Sequence, residues 1–208
     1  MPIETGIAGP IPEGRDPEEY DRLRRRVLWS MPTGLFVVGS RWGDDVNLMT
    51  ANLVMQISTT PKLVAMAVET GAVTRQLVQK SEKFSISILA RSDRAIVRRF
   101  VKPAREVEFG PGRAIVAIQG EPVMEVSTGV PILGCSVGWL ACEVCQTVEL
   151  GGGAGREGSH ILFIGEVVDV GEVSGDREPD SDAGGADHAG PERHGVLRMQ
   201  DTRMNYGG

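Results

Sequence analysis

Lys83-Phe-Ser-Ile-Ser-Ile-Leu89 decides the fold, because Phe84, Ile86 and Ile88 alternate with Ser85 and Ser87 at the two-residue period of a strand with two different faces. Strand-like runs recur on both sides of it. Residues 35–40, 49–58 and 63–69 read as strands before it, and residues 114–118, 136–150 and 160–170 after it. Between them lie two short helical stretches, 74–80 and 92–101, each opened by a hydroxyl residue suited to capping. Many strands with only short helices predict a mainly β fold, an antiparallel barrel rather than a doubly wound sheet.

Outward from this block the chain loosens. Residues 1–15 are rich in Pro and Gly and carry no period, so a flexible N-terminal segment is expected there. Asp16-Pro-Glu-Glu19 then reads as an N-cap, a first-turn proline and an acidic capping partner. A helix should start at that point, with Tyr20, Leu23, Val27 and Leu28 at helical spacing and Arg22, Arg24, Arg25 and Arg26 forming a solvated face. Toward the other end, residues 174–194 are acidic, Gly-rich and nearly devoid of apolar side chains, which predicts a mobile loop. Residues 196–206 regain apolar character and should rejoin the body of a single domain spanning 16–208.

Composition limits what this chain can do. With 41% apolar residues over 208 positions it can fill one core without disulfides or metals. A formal charge of −6 supplies no field for a phosphate backbone, so no nucleic-acid partner is expected. No segment has the length and apolarity of a membrane helix and no secretion signal is seen, which predicts a cytoplasmic protein without a membrane partner. Three cysteines do not make a secreted disulfide framework. Cys142 and Cys145 form a literal C-x-x-C, but they lie in a strand-like run where residues three apart face opposite ways. Both are therefore read as structural thiols, Cys142 in the core. Gly153-Ala-Gly-Arg-Glu-Gly158 matches G-x-G-x-x-G, yet a strand follows it where the dinucleotide motif needs a helix, so it is read as a hairpin turn. There is no P-loop and no serine nucleophile elbow, and His160, His188 and His194 are not paired at metal-ligand spacing.

Six motifs in order resemble the flavin-reductase-like, FMN-binding split-barrel family. Met31-Pro-Thr-Gly-Leu-Phe-Val-Val38 resembles its "P-T-G-V-x-V-V" first strand, and Met49-Thr-Ala-Asn52 with Ser58-Thr-Thr-Pro61 resembles its second strand and exit turn. Thr74-Arg-Gln-Leu77 and Phe84-Ser-Ile-Ser-Ile-Leu89 are similar to its "T-x-x-I" and "F-x-V-N-V-L". Gly120-Glu-Pro122, Cys142 and Ser159-His-Ile-Leu-Phe-Ile-Gly-Glu-Val167 are similar to "G-x-P", "E-C-x-V" and "D-H-x-x-x-x-G-x-V".

The resemblance implies an antiparallel split β-barrel that binds FMN, with FAD or a deazaflavin as alternatives, and takes NAD(P)H as co-substrate. It implies cofactor contacts at Met49, Thr50, Ala51 and Asn52 and at the Ser58, Thr59 and Thr60 turn, where small and hydroxyl residues let backbone approach a flat ring. Thr74 and Arg75 would meet the phosphate at a helix start, and His160 is the candidate contact for nicotinamide or substrate. The family pattern also implies a homodimer with flavin at the subunit interface, and a flavin reductase that can serve a partner oxygenase. Three departures stand out: Ser159 replaces the acid before the histidine, Lys62 replaces a second proline, and Ser87 replaces an asparagine. They bear on the pyridine-nucleotide side more than on flavin binding. An electron-transfer or flavin-carrying protein without an NAD(P)H site, or a deazaflavin-dependent oxidoreductase, are the other readings of the same residues.

Overall fold

Asp16 caps the first helix as its sequence predicts: its Oδ1 accepts from the Glu19 N–H at 2.9 Å, and α1 runs Pro17–Trp29. A computed structural model provides this geometry, describing residues 9–152, 156–172 and 195–202. Residues 1–8, 153–155, 173–194, which hold His188 and His194 of the expected mobile loop, and 203–208 lie outside the described residues. Although α1 is amphipathic, it buries none of its residues, and Leu23, Val27 and Leu28 remain 38%, 59% and 57% exposed.

Strands β1 (Phe36–Trp42) and β2 (Asp45–Ala51) form a hairpin around Gly43, whose φ of 61° suits a residue without a β-carbon. The strand expected over 49–58 is in fact two. It breaks at Asn52-Leu53, and β3 (Val54–Thr59) begins on the far side, pairing with β4 (Lys62–Glu69). Helix α2 (Val73–Ser81) leads into β5 (Lys83–Ile88), which pairs with β1. The other expected helix is two 3-10 turns, Arg91–Asp93 and Ile96–Phe100. Four short strands follow, β6 (Val107–Phe109), β7 (Ile115–Ile118), β8 (Glu121–Glu125) and β9 (Pro131–Leu133), and make a second sheet in chain order. A long hairpin, β10 (Gly138–Gly152) and β11 (Arg156–Glu172), completes the first sheet, and a strand after the G-x-G-x-x-G letters bears out the hairpin reading.

The strand order of the seven-stranded sheet is β2-β1-β5-β10-β11-β4-β3. Its outermost strands, β2 and β3, are consecutive and joined by two residues, so the sheet has to roll until its ends meet. Leu53 secures the meeting point, its carbonyl accepting from the Ala67 N–H of β4 at 3.0 Å. Inside the roll, Val38, Met66, Phe84, Ile86, Cys142 and Phe163 share one cluster, to which α2 adds Val78. A second cluster joins Val37, Leu48, Leu89 and Phe100 to Ile118 and Leu133 of the smaller sheet. Neighbours Val37 and Val38 thus face opposite ways along β1, as a strand's period requires.

Because the smaller sheet covers it, β5 is buried on both faces rather than one. Ser85 and Ser87 are fully buried, and each is satisfied: Ser85 Oγ donates to the Pro131 carbonyl at 2.6 Å, and Ser87 Oγ accepts from the Leu133 N–H at 3.0 Å. Backbone approach is equally close on β1, where a β-carbon on Gly39 would sit 1.9 Å from the Pro131 carbonyl oxygen. Val196 and Leu197 return to the body as expected, Val196 bridging Ala90 and Leu197 fully buried. Among the described residues, no helix is long and apolar enough to cross a membrane.

Candidate functional site

The join between the two ends of the sheet leaves a cavity of about 370 Å³. The end of β2 supplies one wall with Met49, Thr50, Ala51 and Asn52, and the start of α2 supplies a second with Val73 and Thr74. Residues 100–103 form a third wall, and His160 of β11 borders the opening beside Glu69. A volume of this size is that of a small-molecule site.

Asn47 holds the three walls together. It is 3% exposed, its Nδ2 donates to Thr74 Oγ1 at 2.9 Å, and its Oδ1 accepts from the Ala104 N–H at 2.8 Å. One buried amide thereby ties β2 to α2 and to the segment leading out of the 3-10 turn. The Thr74 hydroxyl is thus fully buried and engaged with protein rather than placed at a helix cap. Thr50 is similar, donating its hydroxyl to the Val97 carbonyl at 2.6 Å. What these residues turn toward a ligand is their small size and their backbone.

Helix α2 starts at Ala72 without a side-chain cap. Its first-turn N–H groups therefore lack a side-chain acceptor, and Val73 and Thr74, which carry two of them, line the cavity. The expectation of a hydroxyl cap fails here because Thr74 lies one residue inside the helix, where its side chain turns to Asn47. The second helical stretch likewise starts at Ala90, also without a side-chain cap. Arg75 lies next along α2 and anchors on the Thr70 carbonyl through Nη1 at 2.9 Å, while its buried Nε has no partner among the described residues. Uncapped N–H groups beside a guanidinium with donors to spare form a site suited to an anion.

Arg75 faces an adjoining cavity of about 500 Å³, enclosed by Thr70, the glycines of the β10–β11 arm, Glu149 and Glu157. His160 lies on the boundary of both cavities, its Nδ1 2.8 Å from Ser159 Oγ. Met49, Thr50, Ala51, Asn52, Thr74 and His160 therefore meet around one cavity, with Arg75 next door. Ser58, Thr59 and Thr60 do not line either one. Ser58 lies at a register shift of β3, and Thr59 pairs with Lys62 at the β3–β4 turn.

Asn47 and Lys102 are among the lining residues that escaped the sequence reading. Asn47 sits between buried Val46 and Leu48, and a polar residue between two apolar ones was its only signal. Lys102 lines the third wall just beyond the stretch read as helix, and its signal was a cluster of cations. Cys142 is fully buried, and loss of hydration pushes its thiol up from 9.0 to about 12, so it stays protonated and unreactive. Cys145 is exposed at a bulge of β10, its Sγ 3.3 Å from the Ile164 carbonyl, and none of the three cysteines is in a disulfide. No group of three or more metal-ligating side chains occurs among the described residues.

A flavin nucleotide fits these features. A flat ring would lie against the small-residue backbone of Thr50–Asn52, and its phosphate would meet the uncapped start of α2, with the Arg75 guanidinium in the adjoining cavity. Comparison with known proteins agrees. The chain is 29% identical over 162 residues to an NADH-dependent FAD reductase of Streptomyces globisporus, covering 78% of this chain and 81% of that one. It is 28% identical over 148 residues to a high molecular weight rubredoxin of Moorella thermoacetica, covering 70% of this chain but only 58% of that longer protein. Among solved structures, the styrene monooxygenase flavin reductase of Pseudomonas putida S12 superposes with a TM-score of 0.55 at 26% identity, covering 71% of this chain and 85% of that one. A family model for the flavin reductase like domain matches residues 28–189, most of the sequence, and the chain belongs to that family.

Proposed function

We propose that this protein is an NAD(P)H-dependent flavin reductase whose flavin occupies the cavity at the β2–β3 join. The observation that carries this reading is the pairing, around one cavity, of a small-residue backbone wall, Thr50–Asn52, with an uncapped helix start, Arg75 lying in the cavity next to it. When bound, the flavin supplies the redox chemistry by accepting a hydride from reduced nicotinamide. The protein's part is to bind and orient. The β2 backbone would hold the ring, the start of α2 with Arg75 beside it would hold the phosphate, and Phe100 and Val101 would exclude water from one side. His160, on the boundary of both cavities, would contact the nicotinamide or substrate. No general base is needed for hydride transfer, which agrees with the site's composition.

The protein works as a homodimer in this reading. Supporting it are the exposed apolar side chains of α1 and of the sheet's outermost strand β3, where Met55 and Ile57 are 64% and 43% exposed. A partner oxygenase would consume the reduced flavin, as the monooxygenase named with the Pseudomonas relative suggests. Reduced thiols and the acidic charge suit the cytoplasm.

The test is anaerobic addition of NADH or NADPH to the flavin-loaded protein. Bleaching of the visible flavin absorbance at a rate above that of free flavin supports the reading. A protein that binds flavin but leaves both nicotinamides unoxidised is instead a flavin carrier or acts on another reductant.

A further inference from the structure

We infer that a cleft at the far end of α2 from the flavin cavity is a separate binding site for a small aromatic carboxylate, with Trp42 stacking on the ring and Lys83 meeting the anion. The inference is independent of the flavin reading, because the cleft and the flavin cavity share no lining residue.

Three places in the chain converge there. The β1–β2 turn, the junction of α2 with β5 at Ser81 and Lys83, and the β8–β9 turn enclose a cavity of about 360 Å³. Arg41 holds the two turns against each other: its Nε donates to the Gly43 carbonyl at 2.9 Å and its Nη1 to the Gly129 carbonyl at 3.5 Å. The same Nη1 lies 2.9 Å from Glu125 Oε2, so the charge of Arg41 is matched within the protein. Arg41 is therefore a strut of the cleft and not its free cation. Gly43 and Gly129 have φ of 61° and 77°, and a β-carbon on either would meet no atom within 4 Å, which keeps the rim open.

The groups left to a ligand are of three kinds. Trp42 is 50% exposed, and with Val130, which is 2% exposed, it gives the cleft an aromatic wall and a buried aliphatic one. A flat ring gains most from such a surface. Lys83 is the available cation: its carboxylate partner Glu143 is 3.9 Å away, outside the range of about 2.7–2.9 Å for a charge-assisted hydrogen bond, so the ammonium keeps donors for an incoming anion. Thr128 contributes a hydroxyl whose oxygen is shielded from water and has no hydrogen-bond partner among the described residues. A polar atom left in that condition favours any occupant that satisfies it. The volume lies near the lower end of ligand sites, enough for one ring with one or two substituents and too small for a nucleotide. A flat ring with one negative charge uses both Trp42 and Lys83, whereas an aliphatic anion or a neutral arene uses only one of them.

The test is titration of the full-length protein with benzoate, with and without added FMN, followed by calorimetry and by saturation-transfer NMR. Benzamide serves as the uncharged probe and cyclohexanecarboxylate as the non-planar one, and each should bind at least about threefold more weakly than benzoate. Trp42→Ala should weaken benzoate about fivefold to tenfold and Lys83→Gln about threefold to fivefold, the sizes expected for one aromatic contact and one exposed ion pair, while Lys83→Arg keeps most of the affinity. Thermal melts that match wild type show that these variants fold. Benzoate binding that is the same in Trp42→Ala and Lys83→Gln as in wild type would overturn the inference, since the ligand would then sit elsewhere. Competition between benzoate and FMN would overturn it by placing both in the flavin cavity. Benzamide binding as tightly as benzoate, or a wild-type protein that shows no saturation transfer to benzoate at millimolar concentrations, would overturn it as well. None of these outcomes bears on whether the protein binds flavin, which the FMN titration reports by itself.

Discussion

Replacing Asn47 with alanine tests whether one buried amide sets the shape of the site. The side chain makes two hydrogen bonds, at 2.9 Å to Thr74 Oγ1 and 2.8 Å from the Ala104 N–H, and is 3% exposed. In Asn47→Ala the Ala104 N–H loses its only acceptor of this kind and the Thr74 hydroxyl loses its donor. Each group left unsatisfied costs about 1–3 kcal/mol. Since the amide borders the cavity, water can enter and recover part of that, so a net loss of roughly 2–4 kcal/mol follows. For a chain of this length, 1 kcal/mol moves the melting point by about 2–4 °C, which places the drop near roughly 5–15 °C. Thermal melts of wild type, Asn47→Ala, Thr74→Val and the double variant give the coupling directly. The two single changes should be non-additive by about 1 kcal/mol, because either one removes the shared bond. Flavin affinity should fall with Asn47→Ala even though the amide is not required to touch the cofactor, since β2, α2 and residues 101–104 lose their common tie. An Asn47→Ala protein within about 0.5 kcal/mol of wild type, or a strictly additive pair, would refute the claim that this amide sets the walls.

Two further outcomes concern the core and the outer surface. Because burial raises the Cys142 thiol from 9.0 to about 12, the fold favours its protonated form: this contribution is whole below pH 9 and is lost as pH rises toward 12, at about 1.4 kcal/mol per pH unit. The stability difference between wild type and Cys142→Ala should therefore be flat below pH 9 and shrink above it, and parallel alkaline unfolding curves would contradict the assignment. Sedimentation at micromolar concentration should give a dimer, shifted toward monomer by Val27→Asp or Met55→Asp, which place charges among the exposed apolar side chains of α1 and β3. A wild-type monomer that binds flavin stoichiometrically would remove the interface.

The sequence disclosed some of this architecture and concealed the rest for definite reasons. Asp16 announced α1 because capping is local chemistry. The alternation at Phe84, Ile86 and Ile88 marked β5, but the covering of Ser85 and Ser87 depends on a strand nearly fifty residues later, which no local pattern can report. The break at Asn52-Leu53 has neither Gly nor Pro to mark it, so β2 and β3 read as one strand. Strands β8 and β9 were hidden by Pro122 and Pro131, residues that argue against a strand. Within the site, the small residues of β2 and His160 were visible through resemblance. Ser58, Thr59 and Thr60 were drawn in by the same resemblance, although they line neither cavity. The role of Asn47 needed three dimensions, since its partners are 27 and 57 residues away.

The strand order also sets a timetable for synthesis. Before the long hairpin exists, the earlier strands of the seven-stranded sheet can make only two separate ribbons, β2-β1-β5 and β4-β3. Each ribbon exposes an edge that the finished sheet pairs, on β5 and on β4, and the pair that fills the gap between them is not complete until Glu172 has been made. At ribosomal speeds of about 5–20 residues per second, the interval from the end of β5 lasts roughly 4–17 s. Through that time, backbone donors and acceptors beside Phe84 and Ile86 lie open to any neighbouring chain. The hairpin is therefore the keystone of the nascent protein, and translation that stalls ahead of it leaves two adhesive half-sheets rather than a smaller barrel.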